Sequence, residues 1–258
     1  MMPWKLSALA AKKPRIIDQP SIINQPSIIN QPSIINQPSI ITQKVTTMAD
    51  IEYFYSALSS FAYLGSKRFM EIATAAGRRI AHRPIDLNRV VEATGPGWNG
   101  DRTAARRDYF FGRDMQQWGE FRAVPIIEHR PTHHDNDMTL ANCMIIAGVA
   151  QDVDVDALAH ALLEAHWRDD ADIAESDTLA ALAAGVGLDP EALLQAARTP
   201  EILAVYAANS EEAIERSVFG SPTYFVDGDM FYGQDRLELV ARALTKPFAG
   251  TWPPPNSR

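Results

Sequence analysis

The sequence predicts an α/β protein in which a strand–helix–strand unit and a strand–strand–helix unit flank an all-helical insert. Near residue 50 an aromatic strand-like run, Ile51 to Tyr55, changes into a segment with helical periodicity. Near the other end, Asp227-Gly228 separates two short aromatic segments, as in a β-hairpin. The chain between these two regions is rich in Ala and Leu and carries apolar residues at helical spacing.

The first unit is predicted from Ile51 onward. Tyr53 to Tyr55 suit a pleated sheet, and apolar residues then recur every three or four positions, which predicts a helix from about Ser60 to Ala76. Gly77 is a suitable helix end. Residues 79–85 alternate as a second strand would, and strand–helix–strand at this spacing predicts parallel strands joined by a right-handed crossover.

The remaining elements follow from periodicity and turn residues. Helices are predicted at residues 103–121, 139–153, 156–167, 177–184, 190–197 and 200–217. Residues 218–233 predict a turn, a strand, an Asp-Gly hairpin and a second strand, and residues 235–245 predict a final helix. This order is expected of a thioredoxin-like βαβ…ββα domain interrupted by an all-helical insert.

The predicted domain organisation has four parts. Gln-Pro-Ser-Ile-Ile occurs four times between residues 19 and 41 with a six-residue period, and each proline removes a backbone donor. Residues 1–47 are therefore predicted to be a disordered low-complexity segment. Residues 48–87 and 218–248 are assigned to the thioredoxin-like domain, residues 88–217 to the helical insert, and residues 249–258 to a tail.

Composition limits the function classes. The chain has 258 residues, a formal net charge of −8 and 46% hydrophobic residues, which is typical of a soluble globular protein. The acidic balance argues against nucleic acid as a partner. No apolar run approaches the roughly 20 residues needed to span a bilayer, so no membrane segment is expected. Cys143 is the single cysteine, which excludes an intramolecular disulfide and favours the cytoplasm.

The junction between the first strand and helix is the leading candidate site. Ser59 lies where the helix begins, and a small hydroxyl there can cap the unpaired backbone N–H groups. The positive end of the helix dipole also favours a bound anion or thiolate. From the residues alone, a simple helix cap and a ligand site are both open.

Three segments together resemble a known family. Residues 53–65, 218–228 and 232–237, in this order and at this separation, resemble the 2-hydroxychromene-2-carboxylate isomerase family. That family is related to kappa-class glutathione transferases and to bacterial disulfide oxidoreductases with an inserted helical domain. The resemblance runs from about Asp50 to Leu244.

The resemblance implies a cofactor site, an activity and an assembly. Ser59 matches the serine that hydrogen-bonds the sulfur of glutathione, Ser221 the residue whose backbone pairs with its cysteinyl part, and Pro222 the cis-proline. Gln234 and Asp235 match the pair that holds the γ-glutamyl end. The implied activity is a glutathione-dependent cis/trans rearrangement of a small aromatic carboxylate through transient thiolate addition. A homodimer is implied as well.

The sequence also departs from the family pattern, which leaves alternatives open. Ser60 stands where a proline commonly follows the serine, and Pro96 and Met138 stand where asparagines are usual. A kappa-like transferase acting on another electrophile and a non-catalytic thioredoxin-like binding protein are therefore alternatives. A redox partner protein is disfavoured, because a serine occupies the position of the redox cysteine and Cys143, predicted to be buried, is distant in sequence.

The sequence His133-His134-Asp135 is the remaining candidate for chemistry. Neighbouring histidines point in different directions, and no third ligand has suitable spacing, so no metal site is predicted. These residues are expected to be polar loop residues near the mouth of the pocket.

Overall fold

A four-stranded sheet forms the frame of the protein. The computed structural model describes residues 50–95, 103–250 and 252–254. The strands are β1 Ile51–Tyr55, β2 Ile80–Pro84, β3 Thr223–Val226 and β4 Asp229–Tyr232, in the order β2-β1-β3-β4. β1 pairs with β2 in parallel and with β3 antiparallel, and β3 pairs antiparallel with β4. The predicted α/β class is confirmed.

Helices make up most of the rest of the described chain. They are α1 Ser60–Ala75, α2 Leu87–Thr94, α3 Ala104–Asp108, α4 Asp114–Arg122, α5 Thr139–Ala150, α6 Asp156–Trp167, α7 Ser176–Gly185, α8 Pro190–Ala197, α9 Pro200–Glu215 and α10 Leu237–Thr245. A π-helical turn, Tyr109–Arg113, joins α3 to α4, and a 3-10 turn, Gln234–Arg236, precedes α10. The helix predicted at 103–121 thus contains a π-turn, and α2 was not predicted.

The alternation of side chains along the strands creates two cores, one on each face of the sheet. On one face Tyr53 stacks on Tyr224 with ring centroids 5.3 Å apart, and Phe69 of α1 packs on both tyrosines. On the other face Phe54 and Phe225 pack with residues of α2 and the end of α9. All of these rings are almost completely buried, so the sheet is covered on both faces.

The helical insert is continuous with the sheet. α5 contacts β2, α8 and α9, and α6 contacts α1. Buried residues of the sheet and of α5 and α6 belong to one hydrophobic cluster. The predicted domain boundaries stay a prediction, and residues 1–47 lie outside the described residues. In the described ranges no helix is long and apolar enough to cross a membrane.

Candidate functional site

The site is built around the loop that connects β1 to α1. Ser59 ends this loop with extended backbone angles, and its Oγ accepts a hydrogen bond from the Ala62 N–H at 3.2 Å, which caps α1. The Ser59 N–H donates to the Ser56 carbonyl at 2.9 Å, which tightens the loop. The first turn of α1 contains no acidic residue, so no carboxylate there offsets the positive end of the helix dipole.

The loop before β3 lies against Ser59. The Ser59 hydroxyl donates to the Ser221 carbonyl at 3.0 Å, and the Ser56 N–H donates to Ser221 Oγ at 3.2 Å. The Ser221–Pro222 peptide bond is cis. A Cβ atom at Gly220 would lie 2.4 Å from the Tyr232 ring, so a side chain there would displace that ring. The structure therefore brings Ser59, Ser221 and Pro222 together.

Asn142 of α5 holds the same loop from a second side. Its Oδ1 accepts from the Ala57 N–H at 3.0 Å, and its Nδ2 donates to Ser56 Oγ at 3.4 Å and to the Tyr206 hydroxyl at 3.3 Å. Asn142 is 1% exposed. Sequence reasoning missed it. A polar amide on an otherwise apolar helix was the signal that could have found it, because buried amides need partners.

α6 holds the loop from a third side. Trp167 Nε1 donates to the Leu58 carbonyl at 3.0 Å. The neighbouring His166 is fully buried, and its Nε2 lies 3.0 Å from Nδ1 of His134 in the α4–α5 loop. Burial is the main cause that lowers the pKa of both histidines, that of His134 to about 4. Both rings are therefore neutral at neutral pH.

These elements enclose a cavity of about 1050 Å³. Its volume is at the upper end of the range for small-molecule sites. Its aromatic lining consists of Phe61, Phe110, Phe111, Trp167, Tyr206, Phe219 and Tyr232. Its polar lining includes Ser59, Ser60, Ser221, Asn88, Asn142, His129 and His134, and its charged lining consists of Asp86, Glu92, Arg107, Arg130, Asp135 and Asp137. The cavity can hold a ligand with both aromatic and hydrogen-bonding parts.

Gln234 and Asp235 do not belong to this lining. Gln234 is 1% exposed and accepts from Arg122, whose Nε lies 2.6 Å from the side-chain oxygen and whose Nη2 lies 2.9 Å from the backbone oxygen. Asp235 is exposed and pairs with Arg236 at 2.7 Å. Gln234 packs against α1 at Gly65, six residues or about 9 Å along the helix from Ser59. Their predicted glutathione contacts stay a prediction.

The remaining sequence candidates have clear positions. Met138 is buried and lines the cavity one helical turn before Asn142, whereas Pro96 lies outside the described residues. Cys143 is fully buried, as predicted, and burial raises the pKa of its thiol to about 11. His133 pairs with Asp172, whereas His134 contacts His166. Over the described ranges no group of three or more His, Cys, Asp or Glu side chains could hold a metal ion.

The class of protein follows from the match of residues 50–245 to the DSBA-like thioredoxin domain. The chain belongs to this family, and the sequence-based assignment of the fold is confirmed. Within the family, the chain is similar to a 2-hydroxychromene-2-carboxylate isomerase of Sphingobium xenophagum, with 28% identity over 75% of this chain and 97% of the relative. The predicted resemblance to proteins of that name is therefore confirmed.

Two further comparisons agree with this assignment. Human glutathione S-transferase kappa 1 is 23% identical over 79% of this chain and 94% of its own. A solved structure of a 2-hydroxychromene-2-carboxylate isomerase superposes with a TM-score of 0.62 and 24% identity, covering 77% of this chain and 95% of that chain. At this identity the structural likeness shows the fold.

Proposed function

We propose that the protein is a glutathione-dependent isomerase of the 2-hydroxychromene-2-carboxylate isomerase type. The observation that carries the proposal is the Ser59 hydroxyl. It lies at the N-terminus of α1, in hydrogen-bond contact with the cis-proline loop, on the wall of a large aromatic cavity. The names of the similar isomerases and of the kappa-class transferase support the choice of reaction and cofactor.

The residues around Ser59 suit a bound thiolate. Ser59 can donate its hydroxyl proton to a sulfur atom in place of the Ser221 carbonyl, while the Ala62 N–H keeps the oxygen fixed. The N-terminus of α1 is the positive end of the helix dipole, and this positive end lowers the pKa of a thiol held there. No described residue accepts a hydrogen bond from the Ser221 backbone N–H, so this donor can pair with a peptide ligand.

The positions of Gln234 and Asp235 are compatible with the other end of glutathione. The path in glutathione from the cysteinyl sulfur to the γ-glutamyl ammonium group is eight bonds long and spans about 10 Å when extended. This length is close to the 9 Å or so along α1 that separates Ser59 from the Gln234 contact. The exposed Asp235 carboxylate can accept hydrogen bonds from an ammonium group. Gln234, fixed by Arg122, holds the adjacent backbone in place.

The chemistry divides between the cofactor and the protein. When bound, glutathione would supply a thiolate as the nucleophile for the rearrangement of the conjugated substrate. The protein keeps the sulfur ionised through Ser59, holds the substrate between aromatic side chains and excludes water from the cavity. We also propose a cytoplasmic homodimer that acts on a small aromatic carboxylate.

A transferase that acts on another electrophile is the second candidate. The similarity to glutathione S-transferase kappa 1 favours it, as does Met138 at a position where the isomerase pattern has an asparagine. Conjugation of 1-chloro-2,4-dinitrobenzene without isomerisation of 2-hydroxychromene-2-carboxylate would select the transferase.

The test of the proposed function is isomerisation of 2-hydroxychromene-2-carboxylate by the full chain, with and without glutathione. We expect turnover that requires glutathione and falls at least about 100-fold in Ser59→Ala, the size of loss seen for one transition-state donor. Ser59→Thr keeps a capping hydroxyl and should retain part of the activity. Absence of glutathione binding and of turnover would leave a thioredoxin-like binding protein as the better interpretation.

A further inference from the structure

The α4–α5 loop carries a histidine into the wall of the cavity that the proposed mechanism does not use. His134 lines the cavity, and its ring is nearly parallel to that of His166, with centroids 5.3 Å apart and an interplanar angle of 16°. Trp167 meets the His134 ring edge-on, also at 5.3 Å. Together with the 3.0 Å contact between His134 Nδ1 and His166 Nε2, these contacts fix the orientation of the ring.

The surroundings of His166 determine which nitrogen carries the proton. A contact between two neutral imidazole nitrogens contains one proton, so one ring donates and the other accepts. His166 Nδ1 is buried near the Ala171 backbone, which raises the pKa of this ring, but no described group forms a well-aligned hydrogen bond with it. A backbone group raises the pKa of a histidine when it accepts a proton from the ring, and His134 already occupies Nε2, so the Ala171 backbone favours a protonated Nδ1. His166 Nε2 is then the acceptor and His134 Nδ1 the donor.

This arrangement leaves a lone pair on His134 Nε2. Among the described residues, no side chain or backbone group hydrogen-bonds to this atom. The charged or titratable neighbours of His134 are His166 from α6 and, from its own loop, Arg130 and Asp135, which pair with each other. Burial, His166 and Arg130 lower the pKa of His134 to about 4, which keeps the lone pair available at neutral pH.

We propose that His134 is a specificity-determining residue of the cavity, whose Nε2 accepts a hydrogen bond from a substrate hydroxyl group. The inference rests on the proposed function and narrows its substrates to compounds with a hydroxyl donor. 2-Hydroxychromene-2-carboxylate has such a group in both of its forms. When the bond between the ring oxygen and the hemiketal carbon breaks, that carbon becomes a ketone, and the hydroxyl proton ends on the ring oxygen as a phenol. His166 is a positioning residue that sets the tautomer of His134.

The test compares two ligands that differ only in whether they carry a hydroxyl group as hydrogen-bond donor. Calorimetry with the full chain would use trans-2-hydroxybenzylidenepyruvate, the opened compound, and its 2-methoxy ether. We expect the parent to prefer the hydroxyl compound about fivefold, the value of one net hydrogen bond. In His134→Phe, which keeps an aromatic ring beside Trp167, the preference should disappear while the affinity for the ether is retained. His133→Phe is the matched control, because His133 lies outside the cavity lining, and it should keep the preference.

The pH dependence provides a second readout. Because the pKa of His134 is about 4, the preference should persist from pH 8 down to about pH 5.5. A preference lost with a midpoint near 6.5, an equal preference in the parent and His134→Phe, or no binding of either compound by the parent would each overturn the inference. His134→Leu replaces His134→Phe if the latter does not fold.

Glutathione titrations of the same samples separate this inference from the proposed function. A parent that binds no glutathione but shows a His134-dependent preference would overturn the proposed function and leave the acceptor role standing. Glutathione binding with no effect of His134→Phe on the preference would overturn the acceptor role of His134 and leave the proposed function standing.

Discussion

The Ser59 hydroxyl has two partners in the structure: it accepts a hydrogen bond from the Ala62 N–H and donates one to the Ser221 carbonyl. The acceptor contact orients the oxygen, and the donor contact directs the proton to the Ser221 carbonyl. In the proposed function, a ligand sulfur competes for this proton. A hydroxyl that only capped the helix would need the first contact alone. The second contact links the cap to the cis-proline loop at the wall of the cavity.

Asn142 gives a prediction about how the site is held. Asn142→Leu removes the acceptor of the Ala57 N–H and should cost about 1–3 kcal/mol of unfolding free energy, because a buried donor is left unpaired. The β1–α1 loop should also shift, so glutathione affinity should fall about tenfold or more. Denaturant unfolding and calorimetry measure the two effects.

Asn209→Leu is the matched control for Asn142→Leu. Asn209 is equally buried and donates to the Pro84 carbonyl, away from the cavity lining. The Asn209→Leu variant should lose a similar amount of unfolding free energy and keep its affinity for glutathione. Equal affinities in the two variants would show that Asn142 has no role in positioning the site.

Cys143 gives a prediction about reactivity. Burial raises the pKa of its thiol to about 11, so the thiol is protonated and inaccessible at neutral pH. Because it is the single cysteine in the chain, a thiol reagent reports on it alone. Labelling by 5,5′-dithiobis(2-nitrobenzoate) should be absent in the folded protein at pH 7 and stoichiometric in denaturant. Rapid labelling of the folded protein would contradict this account and reopen a redox role.

At the scale of elements, α1 must approach the turn before α10 closely. A Cβ atom at Gly65 would lie 2.7 Å from Gln234 Cβ and 3.3 Å from Leu237 Cδ1. Gly65→Ala should therefore destabilise the protein by about 1–3 kcal/mol, since the first of these atoms is close to the backbone and cannot move freely. Thermal unfolding followed by circular dichroism measures the loss.

Gly185→Ala is the control for Gly65→Ala. Gly185 ends α7, and no atom lies within 4 Å of the position that a Cβ atom would take there, so alanine should be neutral or slightly stabilising. If Gly65→Ala is as stable as Gly185→Ala, the close approach of α1 to Gln234 does not constrain the site.

The elements were predictable where periodicity was strong. α6 and α8 begin and end where the sequence predicts, because apolar periodicity, turn residues and, for α8, an Asp-Pro cap mark their limits. α2 was missed because its eight residues are too few for a clear period. The π-turn inside the predicted helix 103–121 arises from backbone pairing that hydrophobic spacing does not report.

The site was predictable only in part, for reasons of distance along the chain. Ser59 and Ser221 could be named because a helix start and an X-Pro turn are local features. Asn142 and the His134–His166 pair depend on contacts between elements 32 to 86 residues apart, which a single sequence does not encode as a local pattern. The positions of Gln234 and Asp235 outside the cavity lining depend on how α1 packs.

At the scale of the whole molecule, an ion pair links the first strand to the last helix before β3. Arg216 donates to both carboxylate oxygens of Glu52 at 2.7 and 2.9 Å and lies 3.8 Å from the Phe225 ring centroid. The hydrogen bonds from Arg216 lower the pKa of Glu52 in the folded state. Glu52 therefore contributes stability that is complete above its ordinary pKa of about 4.3 and is lost as the pH falls through the lower folded value.

Glu52→Gln tests this contribution. The variant should be about 1 kcal/mol less stable than the parent at pH 7, a modest value because the pair is partly exposed. The difference in stability between the parent and the variant should shrink as the pH falls below about 4.3, because Glu52 of the parent then loses its negative charge. Urea titrations at several pH values measure it, with Asp50→Asn in the exposed pair with Arg79 as a control expected to change little. A difference independent of pH would contradict the assignment.

The central claim is that Ser59 stabilises a glutathione thiolate, and the most direct measurement is the thiol pKa of bound glutathione. Thiolate ultraviolet absorbance, followed against pH for the parent and for Ser59→Ala at saturating glutathione, measures it. We expect the parent to lower the thiol pKa of bound glutathione by more than about one unit from the ordinary cysteine value of about 8.5. In Ser59→Ala the pKa should return most of the way to that ordinary value. Equal pKa values in the two proteins, with glutathione bound to both, would contradict the claim.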